Sequence, residues 1–124
     1  MLTGPFSNSL LPQRVRRLFG AESCRLQVAA LPWRKTDDGV EVMLITSRDT
    51  GRWVLPKGWP EEDEPLYEAA AREAFEEAGI SGDIAQKTAG SYFYNKVHSS
   101  GSESPCEVRV FPLEVKEVAS KWRE

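Results

Sequence analysis

At 124 residues the chain has room for one domain with a modest core and not for two. Hydrophobic residues at 40% and charged residues at 28% exclude disordered and fibrous classes, and no run approaches the roughly 18 consecutive apolar residues of a membrane span. The net charge is only −3, yet residues 1–35 sum to +5 and residues 36–124 to −8, so a basic leader precedes an acidic body. The leader "LLPQRVRRLFG" is either a solvated segment or a stretch that steers polyanions or RNA. Cys24 and Cys106 show neither zinc-type spacing nor a CxxC pair, and no basic-then-apolar signal opens the chain. Two free thiols in a reducing, cytoplasmic setting are the simplest expectation.

In chain order, "RLQVAALPW" (25–33) and "VEVMLITS" (40–47) read as the two strands of a hairpin, turned by "RKTDDG" with its Asp38-Gly39 pair. "DTG" (49–51) marks another turn before the short apolar stretch "WVL" (53–55), which Pro56 closes. Pro65 suits a first helical turn and Gly79 a stop, predicting a helix over 65–78. The i, i+4, i+7, i+8, i+11 spacing of Tyr67, Ala71, Ala74, Phe75 and Ala78 predicts the buried stripe of that helix. Ala69 and Ala70 then fall one turn before the carboxylates, where they would leave space above them. "DIAQKTAGSYFY" (83–94) and "EVRVFPLEV" (107–115) read as later strands around the polar loop "NKVHSSGSESP", with Pro112 predicting a bulged or edge strand.

The segment from Glu61 to Glu77 holds eight carboxylates. Glu73, Glu76 and Glu77 fall within an arc of roughly 100° on the helix. One reading is an ordinary solvated face in which Arg72 pairs with Glu68 and Glu76, for a few tenths of a kcal/mol each. Against it, two unit charges about 4 Å apart repel by roughly 4 kcal/mol at an effective dielectric near 20. Converging carboxylates therefore need a cation among them. An all-oxygen set suits Mg²⁺ or Mn²⁺, whereas a lone His98 and scattered cysteines do not suit zinc.

Gly58, five residues, Glu64, seven residues and then "REAFEEAGI" resembles the Nudix box, GX5EX7REUXEEXGU with U aliphatic, over residues 58–80. Ala74 stands where the pattern more often has a larger aliphatic residue. The resemblance extends through "SRDTGRWVLPKGWPEEDE" and the later strands to about residues 25–115. It implies an α/β fold (α+β in some schemes), a mixed β-sheet flanked by helices, with residues 1–22 as leader and 23–124 as the Nudix domain. The sequence ends at "VASKWRE", before the family's usual C-terminal helix. Either a longer protein supplies that helix, or "SLLPQRVRRLF" or a partner chain covers the sheet face it would occupy.

The resemblance also implies an activity, Mg²⁺-dependent hydrolysis of a diphosphate linkage, with Mn²⁺ as a substitute. Glu73, Glu76 and Glu77 match the metal-binding glutamates, the first also a candidate base; the Lys57 carbonyl joins them, while Arg72, Glu64 and Gly58 support them. Dinucleoside polyphosphates or diphosphoinositol polyphosphates are the favoured substrates, with Arg48, Arg52 and Lys57 as phosphate contacts. Glu107 and Glu103 are the candidates for an additional base or ligand. Tyr92, Phe93 and Tyr94 could stack a base, although strand alternation turns at least one of them to the core. The alternative is a non-catalytic Nudix-fold module that binds or senses a nucleotide or RNA; a homodimer and an RNA substrate stay open, and no membrane partner is expected.

Overall fold

The computed structural model describes residues 25–47 and 50–120; the basic leader, Cys24 and Arg48 lie outside them. The chain order is β1 (Arg25–Thr36), β2 (Gly39–Val42), β3 (Ile45–Thr46), β4 (Trp53–Val54), β5 (Lys57–Gly58), α1 (Leu66–Ala78), β6 (Ile80–Ile84), β7 (Gly90–Val97) and β8 (Glu103–Val118). A parallel pair, β1 beside β8, forms the centre of a six-stranded mixed sheet. On its other side β1 pairs antiparallel with β2 and β5, while β8 pairs antiparallel with β7 along its first half and β6 along its second. A two-stranded ribbon, β3 with β4, lies apart from this sheet. Among the described residues no helix is long and apolar enough to cross a membrane.

The hairpin forms as expected, but its strands run into the predicted turn, so that Thr36 faces Gly39 across two aspartates. Two predicted strands each divide. Residues 40–47 split into β2 and β3, because after Val42 the chain leaves the sheet to start the ribbon, and residues 83–94 split into β6 and β7. The second split explains Pro112, which is in a central strand; β8 is irregular as expected, with a register shift opposite Ser81 and Gly82, but Pro112 itself is at neither that shift nor an edge. β8 changes partner there: Ala85 N–H donates to the Pro112 carbonyl at 2.8 Å and Ala89 N–H to the Val110 carbonyl at 2.8 Å. The missing proline N–H thus faces the β6–β7 connection, where no ladder bond is lost.

Helix α1 starts one residue after Pro65, whose carbonyl accepts the first helical bond from Ala69 N–H at 3.0 Å. It stops at Gly79, with φ 69°, a left-handed conformation that glycine adopts without a Cβ penalty. The buried stripe is rotated from the predicted one. Ala69, Ala70 and Ala74 have no exposed surface and pack with Val28, Ala30, Ile80, Phe111 and Leu113, while Phe75 is 50% exposed. Tyr67 and Ala78 do reach this core. Alanine side chains let the helix backbone approach the sheet closely. Ala69 and Ala70 are therefore the floor of the helix rather than open space, and Glu73 is drawn to the sheet beside them.

Candidate active site

Arg72 is the hub of the site. Its Nε and Nη2 donate to the two oxygens of Glu64, each at 2.9 Å. Nη2 also donates to the Trp59 carbonyl at 3.1 Å, and Nη1 to Glu73 Oε2 at 3.0 Å and Glu76 Oε1 at 3.2 Å. A guanidinium has five N–H donors in a rigid fork, and here all of them have acceptors. Glu64 in turn accepts Glu61 N–H at 2.9 Å, so one arginine ties the 59–64 loop to the helix. Of the two helical partners expected from spacing, Glu76 is bonded and Glu68 is not; Glu64, eight residues earlier, is the stronger partner.

The electrostatics follow from these contacts. The Arg72 hydrogen bonds, helped by Glu61 N–H, hold the Glu64 carboxyl down at about 2, and the carboxylates push Arg72 above its ordinary range. Burial raises the proton affinity of Glu73, with Arg72 opposing it. Glu73 is 8% exposed, and its carboxyl lies against the Cα of Gly58, where any Cβ would overlap it. Glu76 is half exposed, with 55% of its side chain accessible. Glu77 Oε1 accepts the Lys57 N–H at 3.0 Å. Lys57 thus meets the glutamates through its amide.

Among the described residues no three acidic, histidine or cysteine side chains draw together into a ready metal group. The cation that like-charge repulsion requires is, in this structure, the Arg72 guanidinium between Glu73 and Glu76. The donor chemistry nevertheless fits a hard divalent ion: Glu73, Glu76 and Glu77 offer only carboxylate oxygens on adjoining positions of one helix. Among the described residues the imidazole and the thiol are elsewhere. His98 bonds Ser104 at 2.8 Å and Cys106 is buried in β8, on the sheet face away from α1.

A cleft of about 300 Å³ opens beside Glu77, lined by Lys57, Arg52 and the β3–β4 ribbon. Burial lowers the proton affinity of the Lys57 ammonium, and Glu77 opposes that. Arg52 is exposed and bonds Thr50 Oγ1 through Nε at 3.2 Å. The two remaining acidic candidates separate clearly. Glu103 is exposed at the β7–β8 turn, whereas Glu107 is 1% exposed and accepts Arg109 Nε at 3.3 Å. Pairing places Phe93 with Glu107 on the α1 face of the sheet, and Tyr92 and Tyr94 with Val108 and Cys106 on the other. Gln27, Arg109 and the Trp59 carbonyl were not singled out by sequence; only Gln27, a buried amide in an apolar strand, carried a local signal.

A family model described as the NUDIX domain matches residues 25–121. Nudix hydrolase 16, mitochondrial, of Arabidopsis thaliana is 33% identical over 83% of this chain and 64% of that protein. Diphosphoinositol polyphosphate phosphohydrolase 3-beta of Bos taurus is 28% identical over 87% of this chain and 62% of that protein. The chain spans 46 to 64% of the length of three Arabidopsis relatives, Nudix hydrolases 16, 13 and 12. The crystal structure of a C. elegans Ap4A hydrolase superposes with a TM-score of 0.55 at 20% identity, over 81% of this chain and 78% of that one, a likeness of fold.

Proposed function

The chain belongs to the Nudix domain family, and from that premise we propose that it hydrolyses a diphosphate linkage with the help of Mg²⁺, or of Mn²⁺ in its place. The observation that carries the reading is the Arg72 web, which holds Glu64, Glu73 and Glu76 next to Glu77 and the cationic cleft. Glu73, Glu76 and Glu77 would hold the ion. When bound, it supplies charge neutralisation at phosphoryl oxygens and a more acidic water.

The chain's own groups do the rest. Arg72 orients Glu73 through Oε2 and leaves Oε1 as the proposed acceptor of the water's proton. Gly58 keeps the space that Glu73 occupies. Arg52 and Lys57 face the cleft, where they would contact phosphates beyond those next to the carboxylates. Two cations beyond the glutamates favour a chain of more than two phosphates, and the names of the bovine relative and the C. elegans neighbour support the same class. Dinucleoside polyphosphates and diphosphoinositol polyphosphates are therefore the proposed substrates.

The test is a panel of diadenosine tetraphosphate, a diphosphoinositol phosphate and ADP-ribose, assayed with Mg²⁺ or Mn²⁺ for release of phosphate, mononucleotide and pyrophosphate. Turnover of the first two above ADP-ribose is expected. Binding without release of any product would replace the hydrolase with a sensing module.

A further inference from the structure

The sheet face turned away from α1 carries a polar arrangement that core packing alone does not explain. Tyr94 reaches diagonally across β8, and its Oη donates to Gln27 Oε1 at 2.6 Å. Gln27 is 4% exposed, so its amide is held by its surroundings. Above the same ring lies the Lys57 ammonium, with Nζ 5.2 Å from the ring centroid, inside the range of a cation–ring attraction. Register explains the meeting: Lys57 pairs with Ala29 in β1, two residues from Gln27 and on the same face.

Lys57 thereby joins two regions. Its amide holds Glu77, the residue lines the cleft, and its ammonium lies close enough to Glu77 and Arg52 to feel both charges. A lysine side chain is a flexible four-carbon stem ending in a point charge, with no direction of its own. A ring fixed by its strand and by a buried amide supplies one. Burial and the neighbouring Cys106 push the Tyr94 hydroxyl up to about 12, so at neutral pH it remains the donor that the Gln27 bond needs.

We infer that Tyr94, tethered to Gln27, is a positioning residue that aims the Lys57 ammonium at a substrate phosphate beyond the scissile linkage. The identity of that ligand rests on the hydrolase reading; the coupling of the three side chains does not.

The experiment compares wild type, Tyr94→Leu, Tyr94→Phe, Lys57→Gln and the Lys57→Gln/Tyr94→Leu double variant. It follows diadenosine tetraphosphate hydrolysis with Mg²⁺ and, separately, binding of inorganic tripolyphosphate in EDTA by calorimetry. Tyr94→Leu should raise KM about three- to tenfold with kcat within about twofold, and weaken tripolyphosphate by a similar factor, as expected for loss of one cation–ring contact. Tyr94→Phe keeps the ring and loses the tether, so it should shift KM in the same direction by less; it decides the matter if the leucine variant does not fold. In the Lys57→Gln background Tyr94→Leu should add nothing. Additive effects, a fall in kcat alone, or unchanged KM and binding in a folded Tyr94→Phe would overturn the inference while leaving the hydrolase in place. Absence of hydrolysis with the binding pattern intact would remove the hydrolase and keep the positioning role; absence of both hydrolysis and tripolyphosphate binding would remove both.

Discussion

The amide N–H of Lys57 donates to Oε1 of Glu77 at 3.0 Å, tying strand β5 to the last turn of helix α1 across 20 residues of sequence. One glutamate therefore both closes the fold locally and stands beside the cleft, which makes its substitution informative on two counts.

Glu77→Gln keeps a carbonyl oxygen that can accept the Lys57 N–H but removes the charge. Turnover should fall by at least ~10²-fold, with a melting temperature within a few degrees of wild type. A folded variant with unchanged kcat would remove Glu77 from the proposed site.

Arg72→Lys retains a positive charge but cannot hold Glu64, Glu73, Glu76 and the Trp59 carbonyl at once. We expect kcat to drop about tenfold or more while KM changes little, because Arg72 orients carboxylates. A rise in KM with kcat preserved would instead put Arg72 on the substrate.

At Gly58 any side chain meets the Glu73 carboxyl. Gly58→Ala should displace that carboxylate, costing about 1–3 kcal/mol in stability and most of the activity. Denaturant midpoints and kcat measured on the same preparation test this; full activity would show that Glu73 moves aside without consequence.

Acid stability should report on Glu64. Its folded carboxyl is held at about 2, below its ordinary 4.5, mainly by Arg72. A depressed folded value contributes stability that is fully present above about 4.5 and is lost as pH falls through the folded value. Glu64→Gln should thus cost about 1.5–3 kcal/mol at pH 7, and the gap to wild type should narrow steadily between pH 5 and 3. Urea unfolding across that range is the measurement, and a constant gap would mean that the ion pair is not the source.

Substrate preference should depend on ionic strength. Arg52→Gln and Lys57→Gln remove the two described cations of the cleft. Each should lower kcat/KM for diadenosine tetraphosphate more at low salt than at 0.15 M, where screening acts over about 8 Å. Comparable losses with ADP-ribose at both salts would sink the preference for longer phosphate chains.

Much of this protein is local, and local order was legible. Proline before and glycine after a 3.6-residue period placed helix α1 within one residue, because capping geometry depends only on neighbours. The same short spacing set Glu73, Glu76 and Glu77 on one helix, and the turn chemistry of Asp38-Gly39 placed the first hairpin.

What tertiary structure alone decided was which of two adjoining helical stripes is buried and which distant groups meet. Phe75 made the wrong stripe look apolar; the sheet instead offers Val28, Ala30 and Leu113 a flat surface that alanines fit closely, and Phe75 is left half exposed. Pro112 reads as an edge signal until a partner change in the neighbouring strands relieves it of its ladder bond. The carboxylates' internal cation is Arg72, but its bonds to Glu64 and the Trp59 carbonyl span a loop whose path no periodicity describes. Glu107 and Glu103 are alike in sequence and opposite in burial, because one lies in the middle of a sheet and the other at its turn. Spacing along a chain determines angles about a helix or strand, whereas contact between elements is set by the surface each one meets.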